Sequence, residues 1–146
     1  MTHAHPTSPL VAQSLRGPVL WGIVVGGLQA ASPLGFWWLN PLTVYALGLT
    51  VIAPVYIGFA VADGRGTVIA VESAVAGVFV VLAAAAVTGP AWLLVVGLFS
   101  HGLKDLWQHR RQYVANTRWW PPFCLVVDWV VAAVIVVLIV AGVDLH

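Results

Sequence analysis

The chain has 146 residues, of which 61% are hydrophobic and only 8% charged, and its mean hydropathy is +0.97. Those values exclude an ordinary soluble domain, in which about a quarter of the residues are charged. A formal net charge of +1 carries no signature of a nucleic-acid partner, and the single cysteine, Cys124, excludes an intramolecular disulfide.

A hydrocarbon core of about 30 Å takes about 20 apolar residues of helix to cross. Five stretches of that kind fill the chain, predicted at 18–39, 41–62, 67–87, 92–109 and 122–143. The first follows a tail, residues 1–17, that carries only Arg16 as a strong base. Its small-residue run from Gln29 to Ser32 resembles a signal-peptide cleavage region, but the apolar pattern continues through Phe36, Trp37 and Trp38, so it reads as a span. Asn40-Pro41, Asp63-Gly64-Arg65-Gly66, Thr88-Gly89-Pro90 and Arg118 to Pro122 supply turn or helix-start signals between the spans. No internal repeat or low-complexity segment is visible. The expected fold is therefore all-α: one integral membrane bundle of five transmembrane helices over residues 18–146. Small residues such as Gly22, Gly26 and Ala30 would let helices approach closely in lipid.

Charge placement predicts the topology. With the N-terminus in the cytoplasm, all six basic residues (Arg16, Arg65, Lys104, Arg110, Arg111 and Arg118) fall on the cytoplasmic side, as the positive-inside rule requires. The C-terminus is then outside, with Trp37 and Trp38 at the outer interface and Trp119 and Trp120 at the inner one. Five Arg against one Lys, with abundant Ala, Val and Gly, suits a bacterial chain of high-GC coding, and hence a bacterial inner-membrane location.

The five acids are Asp63, Glu72, Asp105, Asp128 and Asp144. Asp144 lies at the outer terminus. At 1.5 Å per residue, Glu72, Asp105 and Asp128 each stand roughly 9–10 Å from the cytoplasmic end of their helices, so three helices bring a carboxylate to one depth. Even on insertion-based scales an ionised carboxylate at the centre of a span costs roughly 2.5–3.5 kcal/mol. Protons, basic side chains or metal ions must compensate three of them. Glu72 and Asp128 sit among apolar neighbours on every side, which marks them most sharply. Asp63 reads first as a turn and cap residue.

The fourth span ends in Ser100-His101-Gly102-Leu103-Lys104-Asp105-Leu106-Trp107-Gln108-His109-Arg110-Arg111. His101, Asp105 and His109 fall within roughly 80° around a helix and form one stripe. Eight residues, roughly 12 Å, separate the two histidines, a spacing that suits two ions bridged by Asp105 better than one. With Glu72 and Asp128 added, the stripe matches the donor set of a carboxylate metal site between bundle helices. His109 reads equally well as an interfacial residue, and Asp105 as a partner of Lys104 or Arg111. Cys124 reads as a buried structural cysteine, and Trp107 and Trp129 as packing or pocket-lining residues. Ser100 and His101 point about 100° apart, too far for a hydrolytic dyad.

The pattern H-G-x-x-D-x-x-x-H-R at 101–110, W-P-P-F-C-x-x-x-D at 120–128 and A-D-G-R at 62–65, with an intramembrane Glu following, resembles a group of small bacterial multi-pass membrane proteins. The resemblance covers about residues 50–135 and implies a membrane location without a particular activity. Membrane desaturases, which use several H-x-x-x-H and H-x-x-H-H boxes, and the seven-helix ceramidase superfamily, which uses Ser, Asp and three His around zinc, are similar only in part.

The leading expectation is a membrane-embedded metal enzyme. Its ligands would be Glu72, His101, Asp105, His109 and Asp128, holding one or two divalent ions of iron, manganese or zinc, with Tyr56 as a proton or radical donor. A bilayer site implies a lipid-like or apolar substrate, for oxidation or hydrolysis. The other expectations are a proton- or ion-handling protein and a non-enzymatic subunit of a larger membrane complex or homo-oligomer, which would bind a cofactor such as haem through His101 or make contacts with partner helices. The apolar outer halves of the spans, interrupted only by Gln29, Ser32 and Thr50, argue against a path through a monomer.

Overall fold

A computed structural model of the protein describes residues 15–146. Most of the predicted tail, residues 1–14, therefore lies outside the described residues. Among the described residues there are six helices and no strand: α1 (Arg16–Gly35), α2 (Pro41–Ile52), α3 (Val55–Asp63), α4 (Gly66–Thr88), α5 (Trp92–Arg111) and α6 (Trp120–Val140). α2 and α3 lie end to end within one apolar stretch of 23 residues, so the helices form the five expected rods.

Four rods (α1, α2 with α3, α4, and α6) are long and apolar enough to cross a membrane. α5 has the length, at 20 residues, but its last three turns carry Lys104, Asp105, Arg110 and Arg111. It packs on both α4 and α6. Large apolar side chains such as Leu20, Leu28, Val78, Val81, Val137 and Val140 point outward, the surface expected of helices in contact with a bilayer.

The predicted second span is broken where the apolar pattern continues. Pro54 has no N–H to give the preceding turn, and helix ends at Ile52 before restarting at Val55. The first span ends at Gly35, short of the predicted Leu39. Phe36, Trp37 and Trp38 form an edge-to-face ring cluster beyond it, and Asn40 caps α2 by accepting the Leu42 N–H at 3.0 Å, with Pro41 in the first turn.

Loops tie the two ends of the bundle. At one end the Leu145 carbonyl accepts the Leu42 N–H at 3.0 Å, joining the chain beyond α6 to the start of α2. At the other, α3 closes on Gly64 in the left-handed region, φ 82°. Beside it Asp63 accepts hydrogen bonds from Arg65 and from the Ala115 N–H at 2.8 Å, so Asp63 ties the turn after α3 to the loop between α5 and α6, while Gly64 supplies the helix cap. The hydrogen bond to Asp63 raises the pKa of the Arg65 guanidinium, and Arg65 also donates to the Tyr113 carbonyl at 2.6 Å.

α1 is joined to the bundle chiefly through α6. A Cβ at Gly22 would stand 2.7 Å from Val126 Cβ and 2.8 Å from the Phe123 carbonyl oxygen, so the two backbones meet at a distance only glycine permits. At the end where α2 begins, Leu42, Leu49, Ala83, Leu94, Val131 and Ile135 form the larger apolar core.

Candidate metal centre

At the opposite end, the sequence places polar groups on the buried faces of three helices. The buried stripe of α4 runs Val68, Glu72, Ala76, Phe79, Ala83, Ala86, a helical period that leaves Glu72 no route to solvent. On α5 the buried stripe includes His101, Gly102, Asp105 and Gln108, and on α6 Cys124, Val127, Asp128 and Val131. Glu72, His101, Asp105, Gln108 and Asp128 are each no more than 2% exposed.

Three of them converge. His101 Nδ1 lies 2.7 Å from Asp128 Oδ2 and 3.5 Å from Asp105 Oδ2. One ligand atom from each of the three residues can be drawn within 4.8 Å of the others. Two atoms bound to one ion at about 2.0–2.2 Å, at angles between octahedral and tetrahedral, stand roughly 2.8–3.6 Å apart. Nδ1 and Asp128 Oδ2 stand at hydrogen-bond distance, and both separations from Nδ1 are near that interval. The donor set of one imidazole and two carboxylates suits zinc, iron or manganese.

Unused bonding capacity points the same way. Asp105 Oδ2 and Asp128 Oδ1 are buried and make no hydrogen bond among the described residues, and neither does His101 Nε2 on the far side of the ring from Nδ1, whereas buried polar atoms in folded proteins nearly always have a partner. Two ionised carboxylates facing one imidazole would leave negative charge uncompensated in an apolar surrounding, which protons or a divalent cation would neutralise. His101, Asp105 and Asp128 could therefore hold a metal ion.

The surrounding residues fix these three in place. Tyr56, fully buried on α3, donates its hydroxyl to Asp105 Oδ1 at 2.7 Å, which leaves Oδ2 turned to His101. The Phe79 ring meets the His101 imidazole edge to face, centroids 4.8 Å apart, and separates it from the apolar core. Trp129 stacks on Phe99, with centroids 5.4 Å apart, over the face of α5 where Gly102 leaves room for its indole.

The other predicted site residues lie differently. Glu72 is bound by Lys104, whose ammonium donates to Oε2 at 2.6 Å and rests 3.2 Å from the centre of the Tyr56 ring. Sequence reading provided for Lys104 as a partner of Asp105; the structure directs it to Glu72 and Tyr56 instead. His109, half-buried at the end of the stripe, is outside the three-residue group, and its Nδ1 is buried and unpartnered. Tyr56, expected as a donor, touches the group through Asp105. Gln108 escaped the sequence reading altogether: it is fully buried, and both its amide atoms are unpartnered. Its one signal was position, seven residues after His101 and three after Asp105 on the same face.

No family model matches the chain, and neither the curated proteins nor the solved structures include one that matches it.

Proposed function

We propose that the protein is a membrane-embedded metal enzyme, with one divalent ion held by His101, Asp105 and Asp128 in the cytoplasmic half of the bilayer. Its substrate is an apolar or lipid-like molecule that it oxidises or hydrolyses. The observation that carries this reading is the buried convergence of the three side chains, with an unpartnered oxygen on each carboxylate. Glu72 is committed to Lys104, and His109 stands outside the group, which supports one ion rather than two. Three protein ligands leave coordination positions free for substrate, the mark of catalytic rather than structural sites. A bound ion of this class supplies Lewis acidity, and iron or manganese adds redox chemistry.

The chain's own residues do the rest. Tyr56 orients Asp105 and carries the proton nearest the group. The Lys104–Glu72 pair holds the Tyr56 ring in position by its contact with the ring face. The cytoplasmic placement rests on the charge bias: Arg65, Arg110, Arg111 and Arg118 lie at the end of the bundle that carries the group.

A second reading, a proton-handling protein or a subunit of a larger complex, is favoured by the unbroken series of contacts from Glu72 through Lys104, Tyr56, Asp105 and His101 to Asp128. Metal analysis of the purified protein separates the two. The metal reading expects about one zinc, iron or manganese per chain, lost in both His101→Ala and Asp128→Asn; metal-free protein purified under metal-replete conditions favours the second.

A further inference from the structure

The buried side of α5 carries His101, Asp105 and Gln108; its outward side is apolar nearly to its end. Trp92, Val96, Phe99, Leu103 and Trp107 recur at intervals of three and four residues, and each is between 44% and 56% exposed. From Trp92 to Arg111 the helix runs about 29 Å, the thickness of a hydrocarbon core. The stripe ends at Arg110 and Arg111, which with Leu103, Leu106 and Trp107 line an open recess of about 520 Å³. Both arginines are exposed, and among the described residues neither pairs with an acid or donates a hydrogen bond. Asp63 is taken by Arg65 and Glu72 by Lys104. Nor do the arginines cap α5: Gln112 gives its backbone N–H to the Gln108 carbonyl and its side-chain amide to the His109 carbonyl, both at 2.8 Å. Trp107 rests against Tyr113, ring centroids 5.4 Å apart, and its indole N–H has no partner among the described residues.

We propose that this face of α5 binds one anionic phospholipid, with the phosphate between Arg110 and Arg111 and an acyl chain along Leu106 and Leu103. The order of groups on the helix matches their order in such a lipid. Two guanidiniums stand at headgroup level, an indole N–H lies one turn deeper among the ester carbonyls, and apolar side chains follow. Guanidinium groups bind phosphate oxygens through paired hydrogen bonds, and each basic residue at an anionic surface raises affinity about fivefold. A zwitterionic lipid offers the same chains and phosphate, but its own cation offsets the charge that the arginines would meet. Free phosphate would meet the arginines without the stripe. Arg118, exposed at the same end, is bordered by the polar Gln112 and Asn116 as well as by Trp119. The lipid face is separate from the metal group, which occupies the buried side of the same helix.

Native mass spectrometry of the protein in detergent, titrated with dioleoyl-phosphatidylglycerol or dioleoyl-phosphatidylcholine, counts the bound lipids and gives their affinities. The wild type is expected to bind one phosphatidylglycerol about tenfold more tightly than phosphatidylcholine. Arg110→Gln and Arg111→Gln should each weaken phosphatidylglycerol about fivefold, and the double variant should lose the preference. Arg118→Gln removes the same charge from the same end and should change affinity less than about twofold. Phosphatidylglycerol with brominated chains locates the lipid: the tryptophan quenching that is lost in Trp107→Leu should also be lost in the double arginine variant. Equal affinity of the wild type for both lipids overturns the proposal and leaves the arginines to an acidic segment of a partner chain. A loss in Arg118→Gln as large as that in Arg110→Gln, or quenching that is the same in Trp107→Leu as in the wild type, also overturns it. Displacement of the lipid by excess inorganic phosphate would make the recess a free-anion site instead.

Discussion

Where α2 begins and α6 finishes, Leu42, Leu49, Leu94 and Ile135 are each fully buried against other apolar residues. At the opposite end the same helices bury His101, Asp105, Gln108 and Asp128, with Glu72 and Lys104 beside them. The first end needs nothing beyond close packing. The second surrounds ionisable groups with protein and lipid, and leaves six polar atoms of His101, Asp105, Gln108, His109 and Asp128 unpartnered. A bundle held only by packing could replace all of them with Leu and Val, since buried ionic groups are often neutral or costly for stability. One end is satisfied by packing alone, and the other holds groups that could bind an ion.

Substitutions at each end should separate those two roles. The largest expected effect on stability is at Lys104. Lys104→Met leaves Glu72 buried without its partner, and should cost about 3–5 kcal/mol in reversible unfolding from detergent micelles. Glu72→Gln combined with Lys104→Met should recover much of that loss; a double variant as unstable as Lys104→Met would show that the pair is not the source of the cost.

At the packed end Leu94→Ala should lower stability by about 2–5 kcal/mol and leave metal content per folded chain unchanged. Loss of metal in that variant would mean that the two ends are not separate. Tyr56→Phe keeps the ring under Lys104 but removes the hydroxyl that orients Asp105, and should weaken metal binding about 10- to 100-fold in equilibrium dialysis. The smallest effect is expected at the loop. Asp63→Asn weakens the pair with Arg65, whose side chain is 55% exposed, and should change stability by less than about 1 kcal/mol.

The sequence made the bundle legible because twenty apolar residues in a row have few other destinations. The break at Pro54 was hidden by the apolar residues around it, which suit a continuous span and an interrupted one equally. His101, Asp105 and Asp128 could be singled out because helix spacing fixes both face and depth. Side-chain reach was not legible. Lys104 has four methylene groups that let it follow several directions, and only the packing of α4 and α3 against α5 selects Glu72 and the Tyr56 ring. His109 shares a stripe with His101 on α5, but the stripe drifts around the helix and rises about 12 Å between them, so the second histidine ends near Val19 of α1 and Pro121 of α6. Gln108 carries no charge that would have drawn notice in the sequence.

The proposed metal enzyme stands on one ion held by His101, Asp105 and Asp128. X-ray absorption at the edge of the metal that copurifies with the protein tests it most directly. The expected spectrum has a first shell of nitrogen and oxygen at about 2.0–2.2 Å, with the outer-shell signature of a single imidazole that disappears in His101→Ala. A sulfur shell at about 2.3 Å, which would place the ion on Cys124, or an imidazole signature that survives His101→Ala, would contradict it.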